Sequence, residues 1–149
     1  MSQDPTIGND AKTGDGAPPG GLDDLAVTND HLLGKTVSVM QPKSGFRVGT
    51  DAVLLAAAIG VNRGRILDMG AGVGGVSLCL ARRLDAVQIT AIEIDLVMAA
   101  LAQRNVAANG FDDRIRILRD DIAKMPPVLA GSFDHVVSNP PYHYATGTR

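Results

Sequence analysis

The sequence predicts an α/β fold, a doubly wound and mostly parallel sheet covered by helices on both faces, and three observations predict it. From Arg63 onward, short apolar runs of strand length alternate with longer helical stretches across brief connections. The first of those strands runs into the Gly-rich turn Asp68-Met69-Gly70-Ala71-Gly72-Val73-Gly74-Gly75, which opens a helix. The last runs into Asn139-Pro140-Pro141-Tyr142, whose prolines cannot donate to a sheet ladder.

Residues 1–25 are rich in Gly, Asp, Pro, Thr and Ser and hold almost nothing that could fill a core, which predicts a disordered tail reaching to about residue 28. Thr36 to Met40 alternates enough for a short strand, Pro42-Lys43-Ser44-Gly45 is turn chemistry, and Ala52 to Ile59 is an apolar helix closed by Gly60. Residues 29–62 are therefore a hairpin-and-helix subdomain, and 63–149 the N-terminal part of the main domain. In that domain Arg65–Met69 is the first strand and Gly75–Leu84 a helix. Val87–Glu93 is the second strand, followed by a helix from Leu96 to about Asn109, with Asp95 as its N-cap and Gly110 as its stop. Ile115–Leu118 is the third strand. A weak helical stretch from Ile122 to Leu129 is broken by Pro126-Pro127, and Asp134–Ser138 is the fourth strand. The sheet so predicted is incomplete, with about four core strands.

Composition excludes several classes. The chain has 149 residues, within the range of roughly 100–200 expected of one domain. A single cysteine, Cys79, allows no intramolecular disulfide and reads as a small core residue, while His31, His135 and His143 share no metal spacing, so no metal is expected. No apolar run approaches the ~20 residues that span a bilayer, and no basic stretch followed by an apolar one marks export, so a cytoplasmic protein is expected. Residues 1–30 carry six acids and one base, a tail of −5; the remaining 13 bases and 10 acids leave a body of +3, compatible with an anionic partner such as RNA.

The Gly-rich turn carries the first chemical signal, because residues without side chains let a ligand approach the backbone and the start of a helix. Gly70, Gly72 and Gly75 satisfy G-x-G-x-x-G, the dinucleotide fingerprint, and an acid follows at the end of the second strand as that fingerprint requires. Asp68 tilts the reading elsewhere. A carboxylate two residues ahead of Gly70 would repel a pyrophosphate, but it suits a ligand with a cationic centre, such as the sulfonium and amino group of S-adenosylmethionine. Glu93 closes the second strand, where a carboxylate can accept from both ribose hydroxyls of an adenosine ligand or simply stand in solvent. Asp121, at the end of the third strand, is placed to accept from an adenine amino group; an exposed turn is the other reading.

The segment Asn139-Pro140-Pro141-Tyr142 is the most informative. An amide-like nitrogen is a poor nucleophile because its lone pair is delocalised, and two acceptors gripping its hydrogens localise that pair toward a methyl donor. The Asn139 side-chain oxygen and the Pro140 carbonyl can be those acceptors, with Tyr142 as a stacking face for a planar group. Positioning and electrostatics then carry the reaction.

Asp68-x-Gly70-x-Gly72, Glu93, Asp121 and Asn139-Pro-Pro-Tyr142, in this order, resemble the Rossmann-like S-adenosylmethionine-dependent methyltransferases that modify amino nitrogens. The stretch from Phe46 through Arg47, Thr50, Asp51 and Ala52 to Leu55 is similar to that of bacterial tRNA adenine-N6 methyltransferases acting beside the anticodon of valine tRNA. The resemblance covers about residues 35–145. It implies that Asp68, Gly70, Gly72, Glu93 and Asn139 meet the cofactor, S-adenosylmethionine, that Asp121 contacts its adenine, and that Asn139, Pro140 and Tyr142 hold the target amine. Arg47, Thr50 and Asp51 would border the cofactor pocket. Members of this class continue with three more strands, so the chain is expected to be a fragment or to be completed by another segment. The competing functions are a release-factor glutamine methyltransferase with the same grip on a planar amide, a nicotinamide-dependent oxidoreductase, and a non-catalytic cofactor-binding or RNA-docking module. Arg82-Arg83 reads as a solvated helix end, and His143 as a loop histidine beside Tyr142.

Overall fold

The computed structural model describes residues 25–141. Nearly all of the expected tail, together with Tyr142 and His143, lies outside the described residues. The chain opens with a hairpin, β1 (Val27–Leu32) paired antiparallel with β2 (Val37–Pro42). The hairpin thus starts at Val27, ahead of the boundary expected at residue 29. Helix α1 (Thr50–Ala58) follows, beginning two residues earlier than its apolar run because the polar Thr50 and Asp51 form its first turn.

The core then alternates as expected: β3 (Arg63–Met69), α2 (Gly75–Arg83), β4 (Ala86–Glu93), α3 (Leu96–Ala108), β5 (Ile115–Arg119) and β6 (His135–Ser138). Between the last two strands, the stretch around Pro126-Pro127 makes only two short 3-10 turns, Ile122–Lys124 and Pro127–Leu129, because proline supplies no N–H for a continuing helix. Asp95 caps α3 by accepting from Met98 N–H, and Gly110, with φ +69°, follows the helix in the left-handed conformation.

The four core strands are all parallel in the order β5-β4-β3-β6. Ile66, Leu67 and Asp68 of β3, and Ala91, Ile92 and Glu93 of β4, are buried in succession, the pattern of central strands covered on both faces. Helix α2 is buried from Gly75 to Ala81 because α1 packs on its outer side, and Ala52 and Ala56 of α1 join Val37 and Val39 of β2 in the same core. The chain steps from β3 outward to β4 and β5 and then returns to β6 on the other side of β3. Strand order therefore reverses between β3 and β6, the place where open α/β sheets leave a crevice beyond their carboxyl ends.

Helix α3 ties the hairpin to this frame through two side-chain amides one turn apart. Asn105, 2% exposed, accepts from Met40 N–H at 2.7 Å and donates to the Met40 carbonyl at 2.9 Å. Asn109 makes the same pair with Ser38, at 2.9 and 2.7 Å. Along β2 these amides satisfy the backbone groups that a third strand would otherwise pair. Asn105 also donates to the Val73 carbonyl at 2.9 Å, so the hairpin and the Gly-rich turn are fixed to one buried side chain.

Candidate functional site

The Gly-rich turn leaves β3 by bending sharply. Gly70 and Ala71 both donate to the Ile92 carbonyl at 2.9 Å, while Gly70, Gly72 and Gly74 take φ of +71°, +57° and +90°. Those angles disfavour any residue with a Cβ, and at Gly70 and Gly72 a Cβ would project into open space, so conformation rather than packing selects glycine there. Gly75 is different. A Cβ there would stand 2.5 Å from Val48 Cγ1, so the third glycine of the fingerprint makes room for Val48.

Glu93, at the end of β4, fastens this turn to the next one. Its Oε2 accepts from Gly72 N–H and its Oε1 from Asp95 N–H, both at 2.8 Å. Asp68 lies beneath the turn, 1% exposed, and accepts a 2.7 Å hydrogen bond from the Ser77 hydroxyl of α2. Burial pushes the Asp68 carboxyl up to about 6; the Ser77 hydrogen bonds oppose this, and the charge of Glu93 adds to it. A buried carboxylate that is costly to ionise alone is stabilised by a cation beside it.

Asn139, just past β6, completes the crevice. Ser138 Oγ donates to the Met69 carbonyl at 2.9 Å, joining the ends of β6 and β3, and Asn139 Nδ2 donates to Asp51 Oδ2 of α1 at 2.6 Å. Together these elements enclose a cavity of about 150 Å³ whose walls include Asp68, Gly70, Gly72, Glu93, Asn139 and Pro141.

The structure thus gathers Asp68, Gly70, Gly72, Glu93 and Asn139 at one cavity. Thr50, Asp121 and Pro140 are not among its walls. Asp121 instead caps the 3-10 turn at Ile122–Lys124, accepting from Ala123 N–H at 2.9 Å and facing Lys124 at 3.6 Å. Thr50 is exposed at the start of α1.

Four apolar residues, Phe46, Val48, Val76 and Met98, are cavity walls to which the sequence reading gives no such role. Two of them are placed by the hairpin. Arg47 Nη2 reaches Asp30 at 2.7 Å and its Nη1 reaches the Pro42 carbonyl at 2.8 Å, while Gln41 Oε1 accepts from Val48 N–H at 2.8 Å. Arg47 therefore holds the segment that carries Phe46 and Val48, a role distinct from bordering the pocket. Among the described residues there is no cluster of three or more His, Cys, Asp or Glu able to hold a metal ion, and no helix is long and apolar enough to cross a membrane.

Known proteins resemble this chain in sequence and in fold. The family described as the methyltransferase small domain matches residues 43–149. A protein of Parabacteroides distasonis named tRNA1(Val) (adenine(37)-N6)-methyltransferase is 38% identical over 117 residues, covering 78% of this chain and 49% of that protein. One of the same name from Salmonella paratyphi B is 41% identical over 120 residues, covering 79% and 49%. The chain thus spans about half the length of the curated relatives it matches. Among solved structures, a SAM-dependent methyltransferase from Agrobacterium tumefaciens superposes with a TM-score of 0.61 at 19% identity, over 77% of this chain and 40% of that one, which supports the Rossmann-like fold. With a family match that spans the Gly-rich turn, β4 and Asn139, the chain belongs to the methyltransferase small domain family.

Proposed function

We propose that the chain binds S-adenosylmethionine at the β3/β6 crevice and serves methyl transfer to an exocyclic amino nitrogen of an RNA base, adenine N6 in tRNA. The observation that carries this reading is the meeting of Asp68 and Asn139 at one cavity, a buried carboxylate for a cationic ligand beside an amide acceptor for an amine. The names of the relatives support the tRNA substrate. Work on tRNA would place the protein in the cytoplasm.

The residues present fit that cofactor. Gly70 and Gly72 leave the floor open, Glu93 keeps lone pairs on both carboxylate oxygens for ribose hydroxyls, and Met98 and Val76 give apolar walls. When bound, S-adenosylmethionine supplies an electrophilic methyl group on a sulfonium centre. Asp68 would stand beside the positive charge of that ligand. Asn139 would accept from the target amine; the resemblance gives the second acceptor as the Pro140 carbonyl, although Pro140 is not a wall of the cavity, and the stacking face as Tyr142, which lies outside the described residues. The pair of acceptors draws the amine lone pair out of conjugation and turns it toward the cavity, and the proton lost from nitrogen passes to solvent. The dinucleotide reading is weakened by Asp68, whose charge opposes a pyrophosphate, and by Gly75, whose glycine is accounted for by Val48.

Incubation of the chain with radiolabelled S-adenosylmethionine and unmodified tRNA tests the reading. Label recovered as N6-methyladenosine after nuclease digestion is the expected result. Label in a release factor and none in tRNA would replace the substrate, and label in neither would contradict the activity.

A further inference from the structure

We propose that Asp51 is a positioning residue for Asn139, holding its side-chain amide in the orientation that turns Oδ1 to the cavity. This inference rests on the reading of Asn139 as the acceptor for the target amine. The two ends of an asparagine amide are nearly identical in size, so packing alone barely distinguishes the useful orientation from its reverse. In the reverse orientation Asn139 would present an N–H₂ to an amine and repel it.

Asp51 removes that ambiguity. An ionised carboxylate only accepts hydrogen bonds, so the group facing Asp51 must be the N–H₂, and Oδ1 must then lie on the opposite edge. The 2.6 Å separation of Asn139 Nδ2 from Asp51 Oδ2 marks a charge-assisted bond, stronger than a bond between neutral groups. The carboxylate is itself well placed. It belongs to the first turn of α1, where the exposed N–H groups of the helix favour negative charge, and its Oδ1 lies where a Cβ on Gly49 would approach within 3.2 Å. Asp51 is not a wall of the cavity whereas Asn139 is, so it acts on the site through the amide. The bond joins residues 88 apart in sequence, linking α1 to the end of β6.

The test uses the full chain with Asp51→Asn and Asp51→Ala. Asn at position 51 keeps the shape but can donate as readily as it accepts, so Asn139 adopts both orientations; Ala leaves the amide free to turn. The Asn139 side-chain N–H₂ resonances, identified by their loss in Asn139→Ala, read this orientation without any turnover. We expect one sharp, exchange-protected pair in the wild type, and a broadened or unprotected pair in both variants. Single-turnover methyl transfer to tRNA should fall by about tenfold or more, equivalent to about 1.4 kcal/mol, with S-adenosylmethionine affinity held within about twofold. Unchanged resonances overturn the proposal, as does wild-type transfer in an Asp51→Ala chain. Parallel losses of cofactor affinity and transfer overturn it in favour of a purely structural role. A wild type that transfers no methyl to tRNA defeats the functional reading instead, and the resonances still decide the positioning role.

Discussion

Replacing Asn139 with alanine should reduce methyl transfer by about 10²–10³-fold, the range found when one preorganised polar partner of a reacting group is removed. The affinity for S-adenosylmethionine should change by no more than about threefold. The reason for the split lies in the geometry. The cavity floor for the cofactor comes from β3, the Gly-rich turn and Glu93, whereas Asn139 approaches from β6 on the other side of the crevice. Among the described residues the side-chain hydrogen bond of Asn139 goes to Asp51 of α1 rather than to the Gly-rich turn. Calorimetric titration together with single-turnover transfer separates the two quantities. A variant that transfers as fast as wild type would sink the acceptor role.

The Asp68→Asn substitution should greatly weaken cofactor binding and also change how the free protein responds to pH. The folded-state value of the Asp68 carboxyl, about 6, stands above its ordinary 3.8. The sign follows from linkage. A carboxyl whose folded value is raised binds protons more tightly in the folded chain, so its contribution is fully present below about 4 and is lost as pH rises through about 6. The difference amounts to roughly 3 kcal/mol at 1.36 kcal/mol per pH unit. Asparagine has the same shape and its carbonyl can still accept from Ser77, but it does not titrate. Thermal denaturation of the free wild type should therefore show a loss of stability between about pH 4 and 7 that the variant lacks. In the wild type the affinity for the cationic cofactor should rise with pH through the same window and level off above it, while the variant binds weakly at every pH. Wild-type affinity in Asp68→Asn at pH 8 would refute the role given to the carboxylate.

The sequence made some of this architecture plain and concealed the rest, for physical reasons that differ from residue to residue. The parallel strands were readable because burial on both faces requires unbroken apolar runs such as Ile66-Leu67, and because Gly70, Gly72 and the prolines after Asn139 constrain the backbone locally. A hairpin was expected here, but the extent of strand β1 was concealed because Val27–Leu32 holds Asn29, Asp30 and His31, and its pairing with β2, together with the Arg47 and Gln41 bonds to Asp30, outweighs that polar composition. Asp121 shows a different limit. An acid at the end of a strand has the same sequence signature whether it meets a ligand or caps the following turn, and here its Oδ1 is engaged by Ala123. The walls Phe46 and Val48, the Asn105 bridge and the Asp51–Asn139 bond all join residues from separate elements. No periodicity within one segment encodes such pairs; they depend on the placement of the hairpin and α1 over the sheet.

The central claim is that the β3/β6 crevice holds S-adenosylmethionine, and calorimetric titration of this chain with S-adenosylmethionine and separately with NADH tests it most directly, with Glu93→Ala as the control. The expected result is binding of the sulfonium ligand alone, weakened in Glu93→Ala because that side chain secures Gly72 and Asp95 and, in the proposed site, would meet the ribose. Binding of NADH without S-adenosylmethionine, or of neither ligand, would contradict it.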